Sequence, residues 1–534
     1  MKVFFPVMLA RREWFRHAKN QVTVVAVLAF CGPGMFNALS GLGAAGSDDP
    51  AVAAIMNSIL YGFFTVVGYF SGAFFNMFGP RVLILVGGLS YAVYALSAFY
   101  SDHGYWVGVV GGVVLGIGAG LFWTAQSAIM MAYSTPNEIG RFIGLFWVVF
   151  NFGGVFGGLL TMALNWDRNE SAGDASPTSF FCFIGFMVLG AVASIFVLAN
   201  PSTVVKSDGS SVEFEKAQNA KQEIVAAGMA IMDPFVLKML PYFFISNWFY
   251  TYEFNGFNNM LFNVRTRGLN SGLFWAAQMV GATMLGKFID YPHWPMQKRG
   301  RAAWAFNVLL IIMSFGIAII LEVSFKCGAG LLPGANGTGW DKGEGVCLPV
   351  EGHTGDPRCA DNFVFHEGCD IDMGSNSGYV GLLMSFMLMG FQDAVFQSFC
   401  YWLMSAAAGN SISRNVKYAA CYKGVQSLGS CLVWAADLSS GFKYRYQVAL
   451  GALLALFSAV PVWFALEHVQ NDHEDVKVVE AESSVNAWSV SPPQEIGLLA
   501  KSPQMQTGLF YETLSRISSE VSSAGCDHEL HLMI

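Results

Sequence analysis

Long apolar segments recur along this chain, and they constrain its fold more than any other feature. About 20 apolar residues suffice to cross a hydrocarbon core of about 30 Å, and twelve segments meet that length. They lie near residues 22–45, 53–78, 82–99, 105–131, 141–164, 179–199, 235–257, 269–290, 302–323, 378–407, 416–436 and 446–466. In lipid each backbone group must find its hydrogen-bond partner within the protein, so these spans are predicted to be helical.

Composition supports lipid as the main solvent of the chain. Of its 534 residues, 54% are hydrophobic and 12% are charged, whereas a soluble globular protein has roughly 25% charged residues. The net charge of -8 is spread over loops and the C-terminal region, and no basic patch of the kind that binds nucleic acid is present. We therefore expect an all-α polytopic membrane protein, with the lipid bilayer as a partner and no nucleic-acid partner.

The spans fall into two sets of six, separated by a polar stretch. We predict a cytosolic N-terminus, a six-helix bundle, a cytosolic linker, a second six-helix bundle and a disordered cytosolic tail, at 1–21, 22–199, 200–233, 234–466 and 467–534. Basic residues in the short loops favour the cytosolic side, which sets this orientation in a plasma membrane or an endomembrane. Arg265, Arg267, Lys443 and Arg445 run against that trend.

The segment 324–377, after the ninth span, is predicted to lie outside the cytosol. It holds four cysteines, which are Cys327, Cys347, Cys359 and Cys369. An even number in an oxidising compartment predicts two disulfides, with three possible pairings. Metal binding is the alternative, because His353 and His366 lie nearby, but the spacing matches no zinc template. The sequons at Asn169 and Asn336 lie on the same predicted side and are glycosylation candidates.

A short pattern is repeated at corresponding places in the two halves. Gly72 and Asn76 follow the second span before Arg81, and Gly286 and Asp290 follow the eighth, each pair separated by four positions. The glycine would permit close helix contact, and the acidic or amide side chain would cap or pair with a neighbouring helix end. The alternative is a pair of ordinary helix ends.

Glycines at four-residue spacing predict close helix packing in the fourth and fifth spans. Small residues let backbones approach in lipid, where burial of apolar surface does not drive association. The residues concerned are Gly108, Gly112, Gly116, Gly120, Gly153 and Gly157, with Gly154 and Gly158 beside the last two.

Longer motifs resemble a known family. They are PGMFNALSGLGAAG from Pro33, AGLFWTAQSAIMMAYSTPNEIGRFIGLFWVVFNFGGVFGG from Ala119, FNVRTRGLNSGLFW from Phe262, and YWLMSAAAGN followed by YKGVQSLGSCLVW ending at Trp434. Together they resemble the fungal and plant-type branch of the UNC-93-like proteins within the major facilitator superfamily. The resemblance implies a twelve-span carrier fold and covers nearly all the spans, whereas the large cysteine-bearing loop departs from the compact loops of that branch. Since the family includes presumed transporters, regulatory subunits and trafficking chaperones, it indicates the fold better than the substrate.

Ionisable side chains inside spans are costly and mark candidate sites. Asp393 lies near the centre of the tenth span in FQDAVFQ, and Gln397 shares its helical face one turn on. Asp393 is a candidate to bind a cation or carry a proton. The alternative is a buried acid that locks helix packing.

Other candidates for a substrate or ion pathway are polar residues at breaks or inside spans. Glu253 precedes a break at Gly256, where it is either an external gate or a capping or interfacial residue. Asn37 and Ser40 follow Pro33, which should interrupt the first span and leave them near a locally unwound segment, or else produce a simple kink with Asn37 bridging helices. Gln126 and Asn151 are single amides, which usually join helices. Lys423 could pair with Asp393, although we expect it to extend to the membrane interface.

Two hypotheses for function follow. The first is a secondary transporter of an unidentified small solute or ion, which works by alternating access without a cofactor. The second is a non-transporting regulatory subunit or trafficking chaperone of another membrane protein. No P-loop, metalloprotease motif or nucleophile elbow occurs in the sequence, so we expect neither direct ATP drive nor enzymatic activity.

Overall fold

The computed structural model describes residues 13–41, 50–100, 104–164, 166, 177–212, 214, 219–327, 340–349, 359, 363–374, 378–409 and 411–469. The predicted glycosylation candidates Asn169 and Asn336, and the tail beyond residue 469, lie outside the described residues.

Helices occupy each of the twelve predicted spans. The first consists of α1 (Ala18–Ala29) and α2 (Met35–Gly41), joined by a π-helical turn at Phe30–Gly34. The other helices of the N-terminal half are α3 (Pro50–Phe78), α4 (Pro80–Phe99), α5 (Tyr105–Ala132), α6 (Ile139–Leu164) and α7 (Pro177–Val197). A short helix in the linker, α8 (Ala220–Met229), precedes the second half.

The C-terminal half begins with α9 (Pro234–Ile245), which leads into a π-helical turn at Tyr252–Asn259. Its remaining helices are α10 (Val264–Ile289), α11 (Met296–Ser324), α12 (Tyr379–Ala408), α13 (Ile412–Asp437) and α14 (Tyr444–Ala465). Both π-helical turns contain residues that disturb a regular helix, since Pro33 lacks a backbone N–H and Gly256 adds backbone freedom.

In the described part of the chain, eight helical stretches are long and apolar enough to cross a membrane. There are nine if Ala220–Met232 and Pro234–Ile245, which meet at a bend of 77°, form one span. Helices α10 and α13 carry buried polar side chains that lower their hydropathy, among them Asn270, Gln278 and Gln426. Polar groups of this kind are tolerated in a membrane helix when they face other helices.

Because each span crosses the membrane once, successive connections are expected on alternate faces of the helical bundle. We call the face with residues 198–233 the linker side and the face with the cysteine-bearing loop the disulfide side. On the linker side, the backbone before α1 bridges to the linker, where Val205 N–H donates to Arg16 O over 2.8 Å. On the disulfide side, Ile371 N–H donates to Leu261 O over 2.8 Å, which joins two loops of the second half.

The cysteine-bearing loop is held by two disulfides, Cys327–Cys369 and Cys347–Cys359. Two disulfides were predicted, and the structure selects one of the three possible pairings. The loop also contains an antiparallel hairpin of β1 (Gly345–Pro349) and β2 (Phe363–Glu367). These strands are a small addition to an otherwise helical fold.

Acidic residues of this loop explain the basic residues that run against the charge trend. Arg445 pairs with Asp341 over 2.5 Å and with Glu344 over 2.6 Å, and Lys443 lies 3.6 Å from Glu344. Arg265 pairs with Asp372 over 2.5 Å, and its hydrogen bond lowers the pKa of the Asp372 carboxyl to about 2. The loop therefore balances positive charge on the disulfide side.

The predicted glycines lie where backbones approach each other. On α5, a Cβ at Gly112 would lie 2.9 Å from Met56 O, and one at Gly120 would lie 2.7 Å from Gly68 N. Gly108 and Gly116 face Met56 and Leu60 of the same helix, α3.

The glycines of α6 contact two neighbouring elements, the first span and α10. Gly153 faces Gly34 and Gly157 faces Ala38, in the first span, while Gly158 faces Gly268 and Gly272 of α10. Helix α6 therefore packs against the N-terminal half with one group of glycines and against the C-terminal half with another.

Two pairs of helices make the most extensive contacts between the halves, and we call them the α6–α10 seam and the α3–α13 seam. In the α6–α10 seam, Gly140 and Gly286 meet backbone to backbone. In the α3–α13 seam, a Cβ at Gly424 would lie 2.8 Å from Tyr69 Cβ, and a Cβ at Gly72 would lie 3.3 Å from Ala420 Cβ. Both seams therefore pass through the repeated glycines.

Candidate functional site

A cavity of about 70 Å³ lies between the two halves. Helices of the N-terminal half contribute Pro33, Asn37, Tyr61, Trp123, Trp147 and Phe150, and the C-terminal half contributes Tyr250, Trp275, Gln278, Gln397, Lys423 and Gln426. Aromatic rings, amides and one lysine thus form its wall. A small, mostly aromatic cavity with a few polar groups is typical of a binding site for a small solute.

The break in the first span helps to form this wall. Pro33 lies in the π-helical turn between α1 and α2, and both Pro33 and Asn37 line the cavity. Backbone that departs from a regular helix in a membrane protein is found where it lines a cavity or is buried in protein. Ser40 lies further along α2, and its side chain is outside the described set.

Asp393 is fully buried on α12, directly behind the cavity wall. Its Oδ2 accepts hydrogen bonds from Tyr250 Oη over 2.7 Å and from Gln278 Nε2 over 2.6 Å. Its Oδ1 accepts one from Gln397 Nε2 over 2.7 Å. All three donors line the cavity, so a solute would contact the carboxylate through them.

The same hydrogen-bond network reaches the other half of the protein. Gln278 Oε1 accepts a hydrogen bond from Asn151 Nδ2 of α6 over 3.1 Å. Because Gln278 also donates to Asp393, its two amide atoms link the carboxylate of one half to an amide of the other. Asn151 is buried and does not itself line the cavity.

We expected Lys423 at the membrane interface, but its side chain lines the cavity. It is 3% exposed, and its Nζ donates to Gln426 Oε1 over 2.7 Å. Gln426 Nε2 in turn donates to Gln397 Oε1 over 3.2 Å, so two glutamines connect the lysine to Asp393. The interface prediction was wrong because the turns of α13 around Lys423 are enclosed by α3, α5 and α12.

The remaining predicted residues lie away from the cavity wall. Glu253 is 2% exposed in the π-helical turn and interacts electrostatically with Asp393, but it is not among the residues that line the cavity. In the described structure its Oε2 has no hydrogen-bond partner. Gln126 is buried on α5, where its Oε1 accepts a hydrogen bond from Ser127 Oγ over 3.2 Å.

On the linker side, Asp290 holds the α6–α10 seam. Its Oδ1 accepts a hydrogen bond from Gly140 N over 2.8 Å and its Oδ2 accepts one from Arg141 N over 2.6 Å, at the start of α6. Burial raises the pKa of the Asp290 carboxyl to about 6, against the opposing effect of these two hydrogen bonds.

The corresponding residue of the first half behaves differently. Asn76 Nδ2 donates to Glu223 Oε2 of the linker helix α8 over 2.7 Å. Arg81 Nε donates to Leu198 O over 2.6 Å, beyond the end of α7.

Sequence reasoning did not select three groups that form the site, namely Tyr250, Gln278 and Gln426. A signal was available for two of them, since Gln278 and Gln426 are amides inside apolar spans, as Gln126 and Asn151 are. The tyrosine gave no such signal, because tyrosine is common in membrane helices near the interface.

Comparison with known proteins agrees with this architecture. Residues 22–338 match the family model described as Major Facilitator Superfamily. UNC93-like protein 1 of Arabidopsis thaliana is 33% identical over 466 residues, which cover 87% of this chain and 93% of that protein. An UNC93-like protein of Schizosaccharomyces pombe is 32% identical over 467 residues, which cover 86% of this chain and 84% of that protein.

Solved structures show the same fold at much lower sequence identity. The proton:xylose symporter XylE, bound to a glucose derivative, is 13% identical with a TM-score of 0.52, over 85% of this chain and 96% of that chain. A bacterial homologue of the iron transporter ferroportin is 11% identical with a TM-score of 0.50, over 84% and 99%. The family match, the curated relatives and the helical architecture together establish that this chain is a membrane protein of the major facilitator superfamily and belongs to its UNC93-like proteins.

Proposed function

We propose that this protein is a secondary transporter that moves a small solute by alternating access. The central cavity is the solute site, and the two halves, residues 22–199 and 234–466, rock about it. One observation carries the proposal: a hydrogen-bonded path joins the buried carboxylate of Asp393 to three residues of the cavity wall and, through Gln278, to Asn151 of the other half. A change at Asp393 would therefore act on the solute site and on the contact between the halves.

Asp393 is the proposed coupling group, and a proton suits it better than a metal cation. The three groups around its carboxylate present hydrogen atoms to it and not lone pairs. A hard metal cation would need further oxygen ligands, and within the described residues no cluster of three or more His, Cys, Asp or Glu side chains is placed to hold one. The fold neighbour XylE, whose title calls it a proton:xylose symporter, supports coupling to protons by analogy of fold.

The decisive test is uptake by purified protein in liposomes, for a panel of labelled solutes, with and without an inward proton gradient. The Asp393→Asn variant keeps the shape of the side chain but cannot exchange a proton. We expect it to lose uptake driven by the gradient and to retain solute exchange between the two sides, because exchange requires no net movement of protons.

Gln126→Leu is the matched control, since Gln126 is a buried amide away from the cavity, and we expect it to keep both activities. Gradient-driven uptake that survives in Asp393→Asn at equal protein density would disprove the role of Asp393. Absence of uptake and exchange for every solute would instead favour the second hypothesis, that of a regulatory subunit or trafficking chaperone.

A further inference from the structure

Lys423 supplies the positive charge in the wall of the central cavity. Its ammonium donates one hydrogen bond, to Gln426 Oε1, and lies 4.8 Å from the ring centroids of Trp123 and Tyr422 and 5.3 Å from that of Tyr401. The ion pairs found within 4 Å in the described part of the chain do not include it. Aromatic rings stabilise an ammonium only modestly compared with the cost of removing it from water.

The cavity wall offers further hydrogen-bond donors that have no acceptor. Trp147 and Trp275 both line the cavity, each is 2% exposed, and in the described structure neither indole Nε1 has a hydrogen-bond partner. A buried donor without an acceptor is unfavourable and often indicates a missing ligand or water. The two indole N–H groups are themselves closed off, so Lys423 is the charged donor that the wall offers to a group that accepts hydrogen bonds.

The acid of the site is shielded from the cavity. Asp393 does not line it, and both of its oxygens are occupied by Tyr250, Gln278 and Gln397. An incoming solute therefore meets a positive charge first. A cationic solute would be repelled by Lys423, and the rings that would otherwise hold a cation already surround that lysine.

The size of the cavity limits the solute. A water needs about 10–15 Å³ of such space, so a volume of about 70 Å³ holds a molecule of roughly five or six heavy atoms. Phe36, Phe64 and Phe150 lie in the same wall and would cover a short apolar part of that molecule. A short carbon chain that ends in a carboxylate provides an acceptor for Lys423 and apolar surface for the rings.

We propose that the central cavity binds a small organic monocarboxylate, with its carboxylate on the Lys423 ammonium and its carbon chain against the aromatic wall. This inference rests on the proposed transport function for its biological meaning, but binding is measurable without transport. It names the chemical class of solute that the proposed function left open.

The test is equilibrium binding of labelled lactate to purified wild-type protein in nanodiscs. Competitors are unlabelled lactate, its neutral isostere lactamide, and choline as a small cation. We expect lactate to displace the label and the other two compounds to fail at the same concentrations, because only lactate provides an anionic acceptor. Displacement by choline or lactamide as effective as that by lactate would overturn the proposal, as would the absence of saturable lactate binding.

Variants locate the site. Lys423→Met removes the charge with little change in length and should weaken binding roughly tenfold or more, which is the effect expected for loss of a hydrogen bond to a charged group. Lys423→Arg keeps the charge and should bind more tightly than Lys423→Met. Lys298→Met is the matched control, since Lys298 lies over Trp294 on the linker side, away from the cavity, and should bind as the wild type does.

The outcomes separate this inference from the proposed function. Saturable lactate binding that depends on Lys423, without any uptake into liposomes, supports the inference and contradicts the transporter. Uptake of a neutral solute or a cation through the Asp393 network, without lactate binding, supports the transporter and contradicts the inference. Lactate binding of equal strength in Lys423→Met and wild type would also contradict it, and the wild-type competition decides the matter if the variant fails to fold.

Discussion

The α6–α10 seam and the α3–α13 seam occupy corresponding places in the two halves, and the C-terminal ends of α3 and α10 repeat the same glycine spacing. In the α6–α10 seam, Gly286 meets Gly140 backbone to backbone, and Asp290 accepts hydrogen bonds from the first turn of α6. In the α3–α13 seam, a Cβ at Gly72 would lie 3.3 Å from Ala420 Cβ, which is a tight contact but a looser one than that at Gly286, and Asn76 bonds to the linker helix α8 instead of α13.

The difference shows that the repeat preserves the approach of the backbones but not the polar contact. A carboxylate near the N-terminal end of a helix accepts hydrogen bonds from the free backbone N–H groups there, and each group stabilises the other. Asp290 is placed in this way at the start of α6. An amide carries no charge, and Asn76 finds its acceptor in Glu223 of the linker. One seam is thus joined directly across the halves, whereas the other is supported through the connection between them.

The largest expected effect is on thermal stability, which should fall further on substitution of Gly286 than on substitution of Gly72. Gly286→Ala would place a methyl group against the backbone of Gly140, which cannot yield without moving a helix, whereas a Cβ at Gly72 would lie 3.3 Å from Ala420 Cβ and 3.4 Å from Val416 Cγ1. Overpacking of this kind costs about 1–3 kcal/mol. Thermal unfolding of the purified variants should therefore show a clear loss of midpoint for Gly286→Ala and a smaller one for Gly72→Ala.

Gly185→Ala provides the control for that measurement, because a Cβ there meets nothing within 4 Å. It should leave the midpoint unchanged or raise it slightly, since alanine favours the helix. Equal losses for Gly286→Ala and Gly72→Ala would remove the proposed distinction between the seams.

An intermediate effect is expected for the two polar residues of the repeat. Asp290→Ala leaves two backbone N–H groups of α6 without their acceptor, and loss of a helix N-terminal cap costs about 0.5–2 kcal/mol. Asn76→Ala removes one hydrogen bond to a linker residue, and we expect about 0.5 kcal/mol or less. Thermal midpoints at pH 7 compare the two, and a larger loss for Asn76→Ala would reverse the assignment of the direct contact.

The smallest effect is a dependence on pH that only one seam should show. The pKa of Asp290 is raised to about 6 from an ordinary value of 3.8, so the folded protein takes up a proton before the unfolded chain does as pH falls. The stability from this group is fully present below pH 3.8 and is lost as pH rises through 6. Between pH 7 and pH 5 the folded state should gain about 1 kcal/mol from this residue.

Asp290→Asn isolates that contribution, since it does not titrate and keeps the size of the side chain. The shift in thermal midpoint between pH 7 and pH 5 should be more stabilising for the wild type than for Asp290→Asn. An identical shift in both proteins would show that other groups cause it. Asn76→Ala should retain the pH response of the wild type, because the α3–α13 seam has no carboxylate at the matching position of its repeat.

Much of the architecture was predictable from the sequence. The twelve spans, the break at Pro33, the presence of two disulfides and the resemblance to the UNC-93-like branch were all predicted, and the fold comparisons and the relatives confirm the fold class and the family. Asp393 was selected as a buried acid, and Gln397 was placed on its face, because a separation of four residues in a helix is a local relation. The structure shows that hydrogen bond at 2.7 Å.

The partners of these residues were not predictable in the same way. Asp393 meets Tyr250 and Gln278, which are 143 and 115 positions away in the chain, and no local pattern encodes such a meeting. Lys423 was expected at the membrane interface because a lysine in an apolar segment usually extends there. Its true surroundings depend on how three other helices pack around α13.

The sequence by itself determined the solvent of this protein, the number of its spans and its family, because hydropathy and helical spacing are sums over neighbouring residues. Only the tertiary structure decided the pairing of the cysteines, the neutralisation of Arg265 and Arg445, and the convergence of Asp393, Gln278 and Lys423 on one cavity. The physical reason is that a buried polar group needs a partner, and in a helical membrane protein that partner comes from another helix, whose position is set by packing along the whole chain.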